Sequence, residues 1–128
     1  MQKIYLIIGT LLAGLAVALG AFGAHGLKKI VSPENVATYQ TGVTYQMYHA
    51  LALILVGILS ERIANHYLSY AGVLFVAGIV LFSGSLYLIV SLYAMNKTVP
   101  TAIGILTPIG GLFFILGWIS LLISILKK

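Results

Sequence analysis

Apolar and polar positions divide this chain into long uncharged runs separated by short charged breaks. The first run extends from Ile4 to Leu27 and stops at Lys28 and Lys29, whose charges resist entering hydrocarbon. Ser32, Pro33 and Glu34 then form a helix start: an N-cap hydroxyl, a ring preset for the first helical position, and a carboxylate at the positive end of the dipole. They predict a second helix over about 33–60, closed by Glu61 and Arg62. After a link through Asn65 and His66, a third run covers Tyr67 to Met95, and beyond Asn96 and Lys97 a fourth reaches Leu126 before Lys127 and Lys128. Each run reaches the roughly 20 residues that a helical crossing needs, and the third and fourth exceed it enough to tilt or project from the bilayer. A membrane barrel needs short segments alternating in polarity, whereas these runs are continuous. The prediction is therefore all-α: an integral membrane four-helix bundle, one transmembrane domain over 1–128, with spans near 4–27, 44–61, 67–95 and 99–126.

The second helix is long and only partly amphipathic. Residues 50–60 are cleanly apolar, but the preceding NVATYQTGVTYQMYH is too polar to face lipid all round. Its first half is expected to lie along the headgroups or to lean against the bundle. Small residues suggest where helices approach closely, since close backbone contact drives association in lipid. Gly9, Ala13, Ala16, Gly20 and Gly23 follow one stripe of the first helix, and Ala77, Gly84 and Ser91 repeat every seven residues in the third. Both stripes are predicted packing faces, and self-association is expected alongside them. Pro108, inside TPIGG, removes a backbone donor in the fourth helix and is expected to kink it, freeing the Gly104 carbonyl.

Composition sharpens this picture by exclusion. Of 128 residues, 61% are hydrophobic and 7% charged, a surface that water cannot solvate and lipid can. There is no cysteine, which removes disulfides, thiolate metal sites, iron–sulfur clusters and thiol redox chemistry. The net charge of +5 comes from scattered basic residues flanking the spans, so no nucleic-acid surface is expected and lipids are the expected partners. The run from Ile4 to Ala24 is longer than the apolar core of a secretory signal, about 7–15 residues, and is read as a retained span. With four spans both ends share a side. Lys3, Arg62, Lys127 and Lys128 then oppose Lys28, Lys29 and Lys97, a one-charge bias toward cytoplasmic termini in a multi-pass inner-membrane protein.

The polar residues within the spans gather toward the side opposite the termini. His25 closes the first span, Tyr45, Gln46, Tyr48 and His49 lie on the second, and Tyr87 is on the exit half of the third. These six form the candidate polar site. An ionisable group within a span is a functional candidate by default, and the two histidines are expected at similar depth, facing each other. Paired imidazoles suit axial haem ligation or part of a metal site, but they equally suit interhelical hydrogen bonds to Gln46, a tyrosine or a carbonyl. Two histidines are few ligands and Glu34 lies outside the apolar run, so neither metal nor cofactor is assigned.

Four stretches also resemble a known family. GAFGAHGL at 20–27, TYQTGVTYQMYHALAL at 38–53, FSGSLYL at 82–88 and TPIGG with a downstream GW at 107–118 resemble the YgdD/YwdK-like small four-span membrane proteins. That family carries domain of unknown function 423 and has an animal relative called transmembrane protein 256. The resemblance runs over essentially the whole chain. It implies a bacterial cell-membrane protein of four helices, and it brings no activity, cofactor or catalytic residue.

An enzyme is not expected, because no nucleophile with a base, no paired carboxylates, no phosphate loop and no HExxH-type motif occurs. GAFGAHG lacks the preceding strand of a nucleotide loop, so its glycines are read as packing residues. A proton-coupled exporter needs an intramembrane carboxylate, but Glu34 and Glu61 sit at helix ends. The expectation is a packing, binding or scaffold protein with a polar histidine and tyrosine region in one leaflet; a small channel or carrier is the alternative.

Overall fold

The structure, a computed structural model, describes residues 3–128. It contains four long helices: α1, Lys3–Ala24; α2, Pro33–Leu59; α3, His66–Ala94; and α4, Thr101–Leu126. All four are long and apolar enough to cross a membrane. At about 1.5 Å per residue even α1, with 22 residues, covers the roughly 30 Å hydrocarbon core.

The helix ends follow from local chemistry. Ser32 caps α2 by accepting a hydrogen bond from the Asn35 amide at 3.3 Å, with Pro33 in the first turn. Asn65 caps α3 in the same way through the Leu68 amide. At the far end of α3, Asn96 adopts φ 58°; its amide bonds the Tyr93 carbonyl at 3.0 Å and the Lys97 amide bonds that of Leu92 at 2.9 Å. This is a left-handed Schellman stop, a conformation that asparagine tolerates better than most residues. The first helix ends at Ala24, earlier than its apolar run, and a short 3₁₀ turn at Leu27–Lys29 carries the chain away from it.

Packing runs from neighbour to neighbour: α1 lies on α2, α2 on α3, and α3 on α4. The α1–α2 contact uses the predicted glycine stripe. A Cβ on Gly9 would meet the Ala50 carbonyl oxygen at 2.8 Å, one on Gly20 would crowd Val43, and one on Gly23 would run into Gln40 and Tyr39. Ala16 is buried and Ala13 half-buried on the same face. This register answers the question left by the polar first half of α2, since residues 39–43 lie beside residues 20–23 of α1 and lean on the bundle.

In α3 the predicted heptad stripe fails. Ser91 is exposed, and Ala77 and Gly84 are only half-buried. The close contacts come instead from Gly72, which receives the Tyr5 ring, and Gly78, which receives the Phe114 ring. Between Ala77 and Gly84 lies a π turn, Ile79–Ser83. A π turn carries one more residue than an α turn, so it rotates everything beyond it and a constant seven-residue period no longer stays on one face. That turn also anchors α4. A Cβ on Gly110 would collide with the Phe82 backbone nitrogen, so TPIGG and FSGS meet backbone to backbone. Beside this contact the hydroxyls of Ser85 and Thr107 are 2.6 Å apart. The fourth helix remains helical through Pro108.

Candidate functional site

Two polar regions emerge from the middle of α2, on different faces. The interior one centres on Gln46, which is 2% exposed. Its Nε2 donates to the Leu12 carbonyl on α1 at 2.8 Å, and its Oε1 accepts from the Tyr87 hydroxyl on α3 at 2.7 Å. One amide thus joins three helices. The Tyr87 ring lies 5.3 Å from that of Tyr39, whose hydroxyl donates to the Leu19 carbonyl at 2.6 Å. Ser83 adds a bond to the Gly42 carbonyl at 2.6 Å, where the absence of a Gly42 side chain lets α3 approach. Every buried side-chain nitrogen and oxygen among the described residues has a partner.

The second region is a groove of about 960 Å³ between α2 and α4, open to the outside of the bundle. Six of its eleven lining residues carry aromatic rings: Tyr45, Tyr48, His49, Phe82, Phe114 and Trp118. None is charged, so the groove offers no counter-ion to a charged ligand. The buried His49 ring stacks on Phe114 with centroids 3.6 Å apart and planes within 8°. Its nitrogens are both engaged. Trp118 Nε1 lies 3.1 Å from His49 Nε2, and because an indole N–H only donates, Nε2 must accept. The ring proton therefore sits on Nδ1, which donates to the Tyr45 carbonyl at 2.8 Å. Ligating iron or another metal through Nε2 would first require breaking the Trp118 bond.

Tyr45 and Tyr48 differ from all these groups. They are 39% and 58% exposed, and neither hydroxyl has a hydrogen-bond partner among the described residues. Both lie about midway along α2 between Glu34 and Glu61, and Trp118 and Pro108 are likewise in the central part of α4.

The six predicted site residues therefore separate. Tyr45, Tyr48 and His49 share the groove, Gln46 and Tyr87 share the interior network, and His25 joins neither. The expected His25–His49 pair does not form: His25 is exposed at the end of α1, while His49 is buried with both nitrogens engaged. Helix register explains this. Gly23 sits against Tyr39 and Gln40, and Gly9 against Ala50, so His49 is level with the first half of α1 and lies about ten residues, roughly 15 Å of rise, from the level of Gly23. The expectation of equal depth took α2 to enter the bilayer near Tyr45, whereas it runs beside α1 from Tyr39 onward.

Phe82, Phe114 and Trp118 were not predicted as site residues, because apolar aromatics in a span read as ordinary core. One signal was available. Trp118 is the only tryptophan, and it lies deep within its run and not at the interface where tryptophan usually concentrates.

Four apolar spans held together by small-residue contacts and buried polar side chains define a multi-pass helical membrane protein. The chain belongs to the family described as "Protein of unknown function (DUF423)", whose model matches residues 19–111. It is 44% identical over 126 residues to a UPF0382 membrane protein of Staphylococcus aureus strain bovine RF122, with 98% of each chain covered. It is 42% identical over 127 residues to the UPF0382 membrane protein YwdK of Bacillus subtilis, again with 98% of each covered. A UPF0382 membrane protein of Staphylococcus saprophyticus is 42% identical over 126 residues, covering 98% of this chain and 99% of its own. No solved structure matches the chain.

Proposed function

We propose that this is a non-enzymatic, membrane-embedded binding protein that holds a neutral, lipid-soluble molecule in the groove between α2 and α4. The observation that carries this reading is the pair of tyrosine hydroxyls without partners, Tyr45 and Tyr48, at the mid-depth of the spans. Hydrocarbon supplies no water to serve them, and an unserved hydroxyl there costs on the order of a few kcal/mol. The groove beside them has room for the molecule that would serve them. A channel or carrier is supported less well, because the buried polar groups are already matched to each other and to backbone carbonyls. The proposal places the protein in the bacterial cell membrane with cytoplasmic termini, following the excess of Lys3, Arg62, Lys127 and Lys128 over Lys28, Lys29 and Lys97. Self-association belongs to the same proposal, since α1 buries only Tyr5, Gly9, Ala16 and Gly23 and leaves its other faces to lipid or a second copy.

Native mass spectrometry of protein released from mild detergent tests this reading, with Gly111→Leu as the groove-filling variant. A Cβ on Gly111 meets nothing closer than the Phe82 ring at 3.8 Å, so leucine there enters the groove without straining the backbone. A bound small molecule on the wild type that is lost in Gly111→Leu is expected, and the same masses give the oligomeric state. Equal occupancy in both proteins, or specific ion flux through wild-type liposomes, would contradict the proposal.

A further inference from the structure

We infer that the groove takes an isoprenoid quinone: a flat, neutral ring with carbonyl acceptors, carried on a polyprenyl tail. The inference rests on the binding reading above and specifies its ligand. Depth is the first argument, because Tyr45 and Tyr48 lie about midway between the charged ends of α2. A phospholipid headgroup would have to bring its phosphate into hydrocarbon to reach them, and no cationic side chain lines the groove to receive it. A quinone head is uncharged and already resides among acyl chains. Hydrogen bonding is the second argument, since two hydroxyls without partners are two donors, and a quinone presents carbonyl oxygens that accept. His49 does not compete, because Trp118 and the Tyr45 carbonyl occupy both its nitrogens. Ring shape is the third. The Tyr45, Phe114 and Trp118 rings crowd one wall, with Tyr45 4.9 Å from Phe82 and roughly parallel to Phe114, a surface on which a flat ring stacks better than a flexible acyl chain. The tail would then run past Leu51, Leu112 and Ile115.

Trp118, the only tryptophan, makes the test direct, because its indole lines the groove and quinones quench indole fluorescence. Wild type, Tyr45→Phe/Tyr48→Phe and Gly111→Leu are reconstituted in phosphatidylcholine liposomes, which add no tryptophan, and titrated with decylubiquinone. The expected result is saturable quenching in wild type, an affinity lower by about tenfold or more in the double phenylalanine variant for two lost hydrogen bonds, and only the linear partition background in Gly111→Leu. Linear and equal quenching in all three proteins would overturn the quinone assignment. If the mass difference between wild type and Gly111→Leu persisted in that case, the binding groove would stand with a different ligand. If it too were absent, both readings would fall.

Discussion

Tyr45 and Gln46 are adjacent on one helix and have opposite surroundings. Gln46 points inward, is 2% exposed, and ties α1 and α3 to α2 through both ends of its amide. Tyr45 points outward at 39% exposure, stacks in an aromatic groove, and leaves its hydroxyl without a partner among the described residues. A polar residue in a span can thus tie helices together or face outward with its hydroxyl unbonded, and residue type does not distinguish them. The distinguishing fact is whether the group is already satisfied. In hydrocarbon an unsatisfied donor is costly enough that its persistence calls for a partner outside the chain.

Variants should separate the two regions. The largest effect is expected at the backbone contact beneath the groove, which sets the spacing of α3 and α4. Gly110→Ala places a methyl group against the Phe82 backbone, which cannot swing aside as a side chain can, and should cost about 3 kcal/mol in unfolding measured by steric trapping in bicelles. Gln46→Leu should follow, at about 1–2 kcal/mol, because it removes two interhelical bonds, taking the second donor from the Leu12 carbonyl and leaving the Tyr87 hydroxyl without its partner. His49→Leu should cost a similar or slightly smaller amount, about 1 kcal/mol, and should shift Trp118 emission to the blue as its indole N–H loses its acceptor. His25→Leu, at an exposed position, should change stability by less than about 0.5 kcal/mol. A cost for His25→Leu equal to that for His49→Leu would mean that the histidines act together, contrary to the register of α1 and α2. The smallest stability effect is expected from Tyr45→Phe/Tyr48→Phe, within about 0.5 kcal/mol, since neither hydroxyl bonds another helix and both face outward whether or not the helices are packed.

Much of this architecture could be read from residue patterns. Charged breaks separate the spans, Ser32 and Pro33 mark the start of α2, and Gly9, Gly20 and Gly23 mark where α1 approaches it. What could not be read is set by geometry that no period encodes. The π turn at Ile79–Ser83 has no composition of its own, and it carries Gly84 and Ser91 out of phase with Gly72 and Gly78. The depth of His49 depends on how far α2 slides along α1, which is fixed by the fit of Gly9 to Ala50 and of Gly23 to Tyr39. Polar residues drew attention to the right helix but merged two environments, because Gln46 with Tyr87 and Tyr45 with Tyr48 look alike until the faces are known. The groove itself needed Phe82, Phe114 and Trp118, from two helices distant in sequence, whose rings meet only once TPIGG packs on the π turn.

On the proposed reading, α2 carries interhelical bonds on its inner face and a binding surface on its outer face. Native mass spectrometry of three proteins tests it most directly: wild type, Gln46→Leu and Tyr45→Phe/Tyr48→Phe, each released from the same membranes. The bound small molecule should stay on Gln46→Leu, whose fold is weakened, and be depleted from Tyr45→Phe/Tyr48→Phe, whose fold is not. Loss of the molecule from Gln46→Leu with full retention on Tyr45→Phe/Tyr48→Phe, or equal occupancy in all three, would contradict it.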